Sequence, residues 1–229
     1  MMLACLDTDQ STLSLMSIPR DTRAYIPGHG YDKINCSIAW GGPETSMQTV
    51  SDLLEVNVNH YALVDFQDFA EIIDILGGIT MTVPEDMYHF DGEYTIDLPA
   101  GTYQMNGDQA LQYVRYRTYA MGDIQRTENQ RDFVRALYEQ LMQSGNILKL
   151  PALISEINDC LETDLSWSEL VSLSYVNFDN LQINTAVLKG NFAEISGVSY
   201  WQVDERNARI QAAEFFGEKL KTHENVYFD

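Results

Sequence analysis

Positive charge is what this chain has least of. Its 229 residues carry 14 Lys and Arg against 34 Asp and Glu, a formal net charge of -20. Such an acidic chain is unsuited to bulk nucleic-acid binding, which neutralises many backbone phosphates with Lys and Arg. Unaided adhesion to an anionic membrane surface is disfavoured for the same reason. Cysteine is sparse as well: Cys5, Cys36 and Cys160 make an odd count. None has metal-type spacing to another Cys or to His29, His60, His89 or His223, so no metal ligand is assigned. The three thiols read as small buried apolar residues, and the histidines as structural. No apolar run reaches the roughly 18 residues that span a bilayer. No signal peptide precedes the first strand, and residues 1–6 read as a strand already under way. The expectation is that the chain begins inside a domain, with any anchor upstream. Gly41-Gly42 and Gly77-Gly78 lack the flanks of a nucleotide loop, and no Gly-x-Ser-x-Gly elbow occurs.

What is present is apolar bulk. Hydrophobic residues make up 45% of the chain, enough to fill a core. Residues 1–6 and 12–18 read as a β-hairpin around the polar turn at 7–11. Residues 32–40 read as a loop, followed by a helix that Pro43 opens and that Met47, Val50, Leu53 and Leu54 carry. Residues 61–66 read as a buried strand. Phe69, Ile72, Ile73 and Leu76 mark a second helix, stopped by Gly77-Gly78, before a strand at 79–83. This alternation argues for an α/β layered domain. Residues 86–102 look irregular apart from a strand at 94–98. Asn106 and Gln109 form a capping-box pattern for a helix over 107–117. A long helix is expected over 123–143, with Phe133, Val134, Leu137 and Leu141 as its buried stripe. Helices at 150–161 and 167–173 follow, then weak strands near 182–188. The last helix is expected to open at Trp201 and run to about 221. With no internal repeat or linker, residues 1–229 read as a single domain. The aromatics Tyr61, Phe66, Phe69, Phe133 and Phe178 read as core.

The scarce cations are concentrated. Seven of the nine arginines fall in two stretches: Arg20 and Arg23, then Arg115, Arg117, Arg126, Arg131 and Arg135. Guanidinium forks bind phosphate oxygens bidentately and keep their charge when buried, so a phosphate or pyrophosphate site is expected. Asp123, Arg126 and Gln130 are spaced i, i+3 and i+7, on one face at a helix N-terminal end whose N–H groups favour anions. Asp123 reads equally as an N-cap and as a group that orients an arginine or takes a proton. Arg115 and Arg117 are two apart, so at most one faces the pocket. Arg131 and Arg135 read as surface charges. Ser17-Ile-Pro-Arg-Asp-Thr22 ends a strand at a loop, where α/β sheets hold ligands. Arg20 and Asp21 form a possible ion pair there. Lys33, the only lysine in the first half of the chain, adds a point charge for phosphate.

Taken together, several segments resemble the LytR–CpsA–Psr family of bacterial cell-wall ligases. They are Ser17-Ile-Pro-Arg-Asp-Thr22, Asp32-Lys-Ile-Asn35, Gly41-Gly42 and His60-Tyr-Ala-Leu-Val-Asp-Phe66. Leu76-Gly-Gly78 with Val83-Pro84, and Leu98-Pro-Ala-Gly101, continue the match. Leu111-Gln-Tyr-Val-Arg-Tyr-Arg117, followed by Gly122-Asp123, Arg126 and Gln130, completes it. The ordered match covers about residues 1–140. The resemblance implies a three-layer α/β/α sandwich with a central mixed sheet, here lacking its first strand. It implies an extracytoplasmic protein held at the membrane by an N-terminal anchor. It also implies a polyprenyl pyrophosphate in an apolar tunnel, its head group on arginines. The implied reaction transfers a lipid-linked anionic glycopolymer, such as teichoic acid or capsule, onto a peptidoglycan acceptor. On this resemblance Arg20, Arg115, Arg117 and Arg126 bind the pyrophosphate with Lys33 and Gln130, and Asp21 or Asp123 orients them or activates the hydroxyl. Mg2+ is the implied cofactor, with its acidic ligands on a segment before Met1. Asn129 stands where the family pattern usually has arginine. The competing expectations are a non-catalytic polyprenyl-phosphate or glycopolymer-binding protein and a transcriptional attenuator; the net charge argues against the latter.

Overall fold

The structure is a computed structural model. It describes residues 1–90, 92, 94–116, 132–140, 150–173 and 181–217. Along the chain come β1 (Met2–Asp7), β2 (Thr12–Ser17), β3 (Arg23–Ile26), β4 (Gly30–Lys33), α1 (Cys36–Leu54), β5 (Ala62–Leu63), α2 (Phe66–Ile75) and β6 (Ile79–Val83). Then follow β7 (Met87–Phe90), β8 (Thr95–Leu98), β9 (Gly101–Met105), α3 (Gly107–Arg115) and α4 (132–140). The remainder holds α5 (Leu150–Ile157), β10 (Glu162–Thr163), α6 (Trp167–Leu173), β11 (Gln182–Val187), β12 (Asn191–Ile195), β13 (Val198–Gln202) and α7 (Glu205–Phe216). The fold is α/β with a mixed sheet, as expected. Among the described residues no helix is long and apolar enough to cross a membrane.

The backbone packs as two compact units. The first draws on Met1–Leu63, Thr163–Leu165 and the described part of Asn180–Asp229. Its sheet has the order β1-β2-β11, with β1 antiparallel and β11 parallel to β2. Met2 pairs with Ser17 and Val187 with the same Ser17, so the end of β2 is held from both sides. Leu3, Ala4 and Cys5 on β1 and Ser14 to Ser17 on β2 are buried. Adjacent buried residues on one strand mean that both faces of this sheet are covered. Helix α1 buries Ser46, Thr49, Val50, Leu53 and Leu54, the i, i+3, i+4, i+7, i+8 stripe of a helix facing a core. It breaks at Gly41 and Gly42, where Gly42 has φ 72°, and restarts at Pro43. Residues 36–40, expected as loop, are thus a helical turn ahead of that break.

The second unit comprises Val64–Glu162 and Ser166–Asp179 in their described parts. Its core gathers Ile73 of α2, Ile79, Met81 and Val83 of β6, Met105 of β9 and Tyr113 of α3, with Phe133 of α4. Asp65 caps α2 by accepting from the N–H groups of Gln67 and Asp68. Asn106 and Gln109 make the expected capping box on α3. Gly107 is required by a close approach: a Cβ there would collide with the carbonyl of Ala70 on α2. Gly107 N–H donates to Asp74 Oδ1 at 2.8 Å, fixing the same contact.

Several expectations change. The strand at 61–66 shrinks to Ala62–Leu63, because Asp65 caps α2 and Phe66 begins it. Phe66 is exposed rather than core. The irregular stretch at 86–102 contains the hairpin β7–β8 and the start of β9, which pairs with β6. Trp201 lies in β13, paired with β12, and the helix starts after the Asp204 cap. Cys5 and Cys160 are buried as expected, whereas Cys36 is half-buried, and none of the three forms a disulfide. Phe178, Leu141 and His223 lie outside the described residues.

Candidate functional site

The loop after β2 is built by local hydrogen bonds. Pro19 O accepts both the N–H of Thr22 at 3.0 Å and its hydroxyl at 2.6 Å. Thr22 is fully buried, and its carbonyl accepts from Ile34 N at 2.7 Å. Asp21 O accepts from Trp201 N at 2.8 Å. The loop is therefore clamped by the segment after β4 on one side and by β13 on the other. A loop tied down this way presents its side chains in fixed directions.

Arg20, Asp21 and Lys33 meet on it. Lys33 Nζ lies 2.9 Å from Asp21 Oδ1, and Arg20 Nε lies 3.8 Å from the same oxygen. Asn35 braces Arg20 from behind. With its amide nitrogen toward the backbone, it donates to Arg20 O at 2.9 Å and accepts from Arg20 Nη2 at 3.3 Å. Arg20 is 45% exposed along its side chain, Asp21 30% and Lys33 28%. Here two cations share one carboxylate, and the guanidinium keeps part of its side chain exposed to solvent. Asp32 turns to the other side of its hairpin, where Oδ1 accepts Lys33 N–H at 2.7 Å and the Tyr200 hydroxyl at 3.4 Å. Burial, then the charge of Asp32, pushes the Cys36 thiol up, so it stays protonated at neutral pH.

An apolar cavity opens in the same unit. Met1, Leu3, Ile18, Met47, Val50 and Val58 line its greasy wall, and the cavity measures about 30 Å³. His60 and Tyr61 supply its polar edge. His60 Nδ1 lies 3.4 Å from Asp164 Oδ2, while Asp164 Oδ1 accepts Tyr61 N–H at 2.9 Å. Ile18 lines the cavity, and Arg20 follows two residues later. The end of β2 thus joins an apolar void to a cationic corner, the pairing an amphipathic anion calls for.

Arg115 belongs to the second unit. Its guanidinium carbon stands 4.5 Å from the Phe66 ring centroid and 3.9 Å from that of Tyr94. Two aromatic faces hold the cation and fix its plane. Burial pushes the Tyr94 hydroxyl up, and the Arg115 charge opposes that shift. Arg135 pairs with Glu139 at 3.5 Å on the exposed side of α4, a surface pair as expected. Arg117, Asp123, Arg126, Gln130 and Arg131 lie outside the described residues.

The described residues do not fit magnesium. The potential ligands that gather are Asp68, Glu71 and Cys160, whose donor atoms lie within 4.8 Å of one another. Magnesium takes hard oxygen donors in near-octahedral geometry, and a thiol is too soft. Burial, with Glu71 and Asp68 close by, also keeps the Cys160 thiol protonated. Asp21 is already committed to Lys33. No step is therefore assigned to the metal.

Two contributors, Asn35 and Trp201, were not assigned a role by local sequence. Asn35 stood in the Asp32-Lys-Ile-Asn35 run, and that run was the available signal. Trp201, read as a helix start, clamps the site loop from β13, and no local pattern announces a bridge over that separation.

Comparison with known proteins places these features in context. The LytR_cpsA_psr family model matches residues 1–215. TagV of Bacillus subtilis, named a polyisoprenyl-teichoic acid–peptidoglycan teichoic acid transferase, is 28% identical over 221 residues, covering 90% of this chain and 56% of TagV. TagU of Oceanobacillus iheyensis, with the same functional name, is 30% identical over 227 residues, covering 93% of this chain and 68% of TagU. The crystal structure of B. subtilis TagV matches with a TM-score of 0.81 at 27% identity, over 93% of this chain and 87% of that one. The chain spans about half the length of the first curated relatives it matches.

Proposed function

The chain belongs to the LytR–CpsA–Psr family, and from that premise we propose that it is a phosphotransferase of cell-wall assembly. It moves an anionic glycopolymer from a polyprenyl pyrophosphate carrier onto peptidoglycan. The observation that carries this reading is the junction at the end of β2. There Ile18 lines an apolar cavity and Arg20, with Lys33, forms a cationic corner. The first offers apolar contact to the start of a prenyl tail, and the second suits a pyrophosphate. The relatives named as teichoic acid transferases support the choice of donor and acceptor.

In the transfer, an acceptor sugar hydroxyl attacks the phosphorus bonded to the glycan. The bond from that phosphorus to the bridging oxygen breaks, and polyprenyl phosphate leaves with the electron pair. Negative charge builds on the phosphate oxygens, so fixed cations do most of the work. Arg20 and Lys33 hold the head group. Asp21 sits against the Lys33 ammonium. A carboxylate so engaged orients the cation rather than taking a proton, which leaves Asp123 as the base for the attacking hydroxyl. The protein works at the extracytoplasmic face of the membrane, and other anionic glycans such as capsule fall within the same chemistry.

The test is transfer of a lipid-linked teichoic acid precursor onto peptidoglycan by the full chain, with Arg20→Ala alongside. Turnover that drops at least tenfold in the variant supports the reading. Binding of the lipid without turnover would favour the second reading, a non-catalytic carrier. That reading draws on the engaged state of Asp21.

A further inference from the structure

The β3–β4 hairpin presents an unusual outer face. Its register pairs Arg23 with Lys33 and Tyr25 with Tyr31. Residues opposite one another project to the same side, and alternate residues share a face. Arg23, Lys33, Tyr25 and Tyr31 therefore stand together. Ala24 and Ile26, on the other side, are buried in the unit. Tyr25 is 52% exposed and Tyr31 51%. Their rings meet edge to face at 5.5 Å. The Arg23 guanidinium lies over Tyr31, 4.4 Å from the ring centroid. Among the described residues no carboxylate pairs with Arg23.

We propose that this face binds the sugar ring adjoining the pyrophosphate of the lipid-linked donor. The inference rests on the head-group reading above. Lys33 belongs both to the cationic corner and to this face. Tyr31 lies two residues from it, about 7 Å along the strand. A phosphate held at the Lys33 ammonium would therefore carry its esterified ring toward this face. The electron-rich face of an aromatic ring attracts the weakly positive C–H face of a pyranose. The guanidinium of Arg23 covers one face of Tyr31, which leaves the sugar the exposed side of the pair, and its edge N–H groups can donate to hydroxyl or acetamido oxygens. Charge agrees as well. On a chain of net charge -20, Arg23 and Lys33 offset the repulsion that an anionic glycan meets elsewhere. The donor glycan is chosen over the acceptor because it is covalently bound to the phosphate that Lys33 holds.

The experiment compares two probes on the full chain. One is geranylgeranyl pyrophosphate. The other is the same lipid carrying N-acetylglucosamine on its distal phosphate. The sugar-bearing probe should bind about tenfold more tightly. Tyr31→Ala and Tyr25→Ala should each remove most of that preference and leave affinity for the bare lipid unchanged. Tyr31→Phe keeps the ring and should keep the preference, although it loses the 3.4 Å hydrogen bond to Glu205. Equal binding of both probes by the unsubstituted chain overturns the proposal, as does a parallel loss for both in Tyr31→Ala. Competition by a soluble peptidoglycan disaccharide, removing the preference without displacing the bare lipid, would give the face to the acceptor and also overturn it. Failure of both probes to bind would bring down the head-group reading, and this subsite with it.

Discussion

Lys33 Nζ and Asp21 Oδ1 stand 2.9 Å apart, joining the strand β4 to the loop after β2. Both side chains are about 30% exposed. At that exposure an ion pair contributes only about 0–1 kcal/mol to stability. Its value lies in aiming the ammonium beside Arg20.

Replacing Lys33 with Ala should therefore hardly change thermal stability but weaken geranylgeranyl pyrophosphate binding about tenfold or more, the loss of one charge-assisted contact. Calorimetric titration alongside a melting curve separates the two effects. Unchanged affinity would remove Lys33 from the head-group site.

Trp201 links the C-terminal hairpin to the same loop. Its backbone N–H donates to Asp21 O, its indole N–H donates to Leu188 O at 3.1 Å, and its ring meets Phe192 edge to face at 5.1 Å. Trp201→Ala should cost about 3–5 kcal/mol and loosen lipid binding. Trp201→Phe keeps most of the packing but orphans the buried Leu188 carbonyl, so about 1–3 kcal/mol is expected. Denaturant unfolding of both variants checks the order. Equal losses would mean that the indole hydrogen bond carries the whole effect.

Gly107→Ala should destabilise the second unit. The added methyl meets the Ala70 carbonyl of α2, a backbone atom that cannot swing aside. Overpacking of this kind costs about 1–3 kcal/mol, which corresponds to a drop in melting temperature of roughly 2–12 °C for a chain of this size. Gly77, whose added Cβ would meet nothing within 4 Å but whose φ is +83°, should respond to Ala through backbone strain alone, at about 1–2 kcal/mol. Melting curves of the two variants compare collision with strain.

Stability should fall on the alkaline side. Burial raises the thiols of Cys36 and Cys160 above their ordinary 9.0, and the hydroxyls of Tyr94 and Tyr103 above 10.0. Below pH 9 both folded and unfolded states hold these protons. Above it the unfolded chain releases them first, so it binds fewer protons and stability declines with rising pH. Urea unfolding at pH 7, 9 and 10 should show the decline. Cys160→Ala should shift the whole curve but flatten its drop between pH 9 and 10. An unchanged slope in that variant would assign the alkaline loss to Cys36 and the tyrosines.

Local order was legible where chemistry acts over a few residues. Asn106 and Gln109 announced a cap because both partners lie within one turn. The stripe through Ile73 announced α2, and Gly77-Gly78 its end. Of the hairpin β7–β8 only the strand at 94–98 was legible, through the buried alternation of Ile96 and Leu98; β7 and the hairpin β12–β13 were not. Tyr88, Phe90 and Phe192 face solvent, so their strands show aromatic residues without a buried alternation. What holds them is backbone pairing, which side-chain patterns do not encode. Arg115 shows the same limit: its charge was visible, but the rings of Phe66 and Tyr94 come to it from other elements.

By itself the sequence determined how few cations this protein has, which loop carries Arg20 and Asp21, and where several helices begin and stop, because charge count and capping are properties of a residue and its neighbours. Only the tertiary structure decided that Lys33 reaches Asp21, that Trp201 clamps the same loop, that Ile18 faces a void, and that Tyr25 and Tyr31 stand exposed together. Those contacts depend on strand register and on packing between distant segments, where the favourable energy is non-directional burial and the chain itself names no partner.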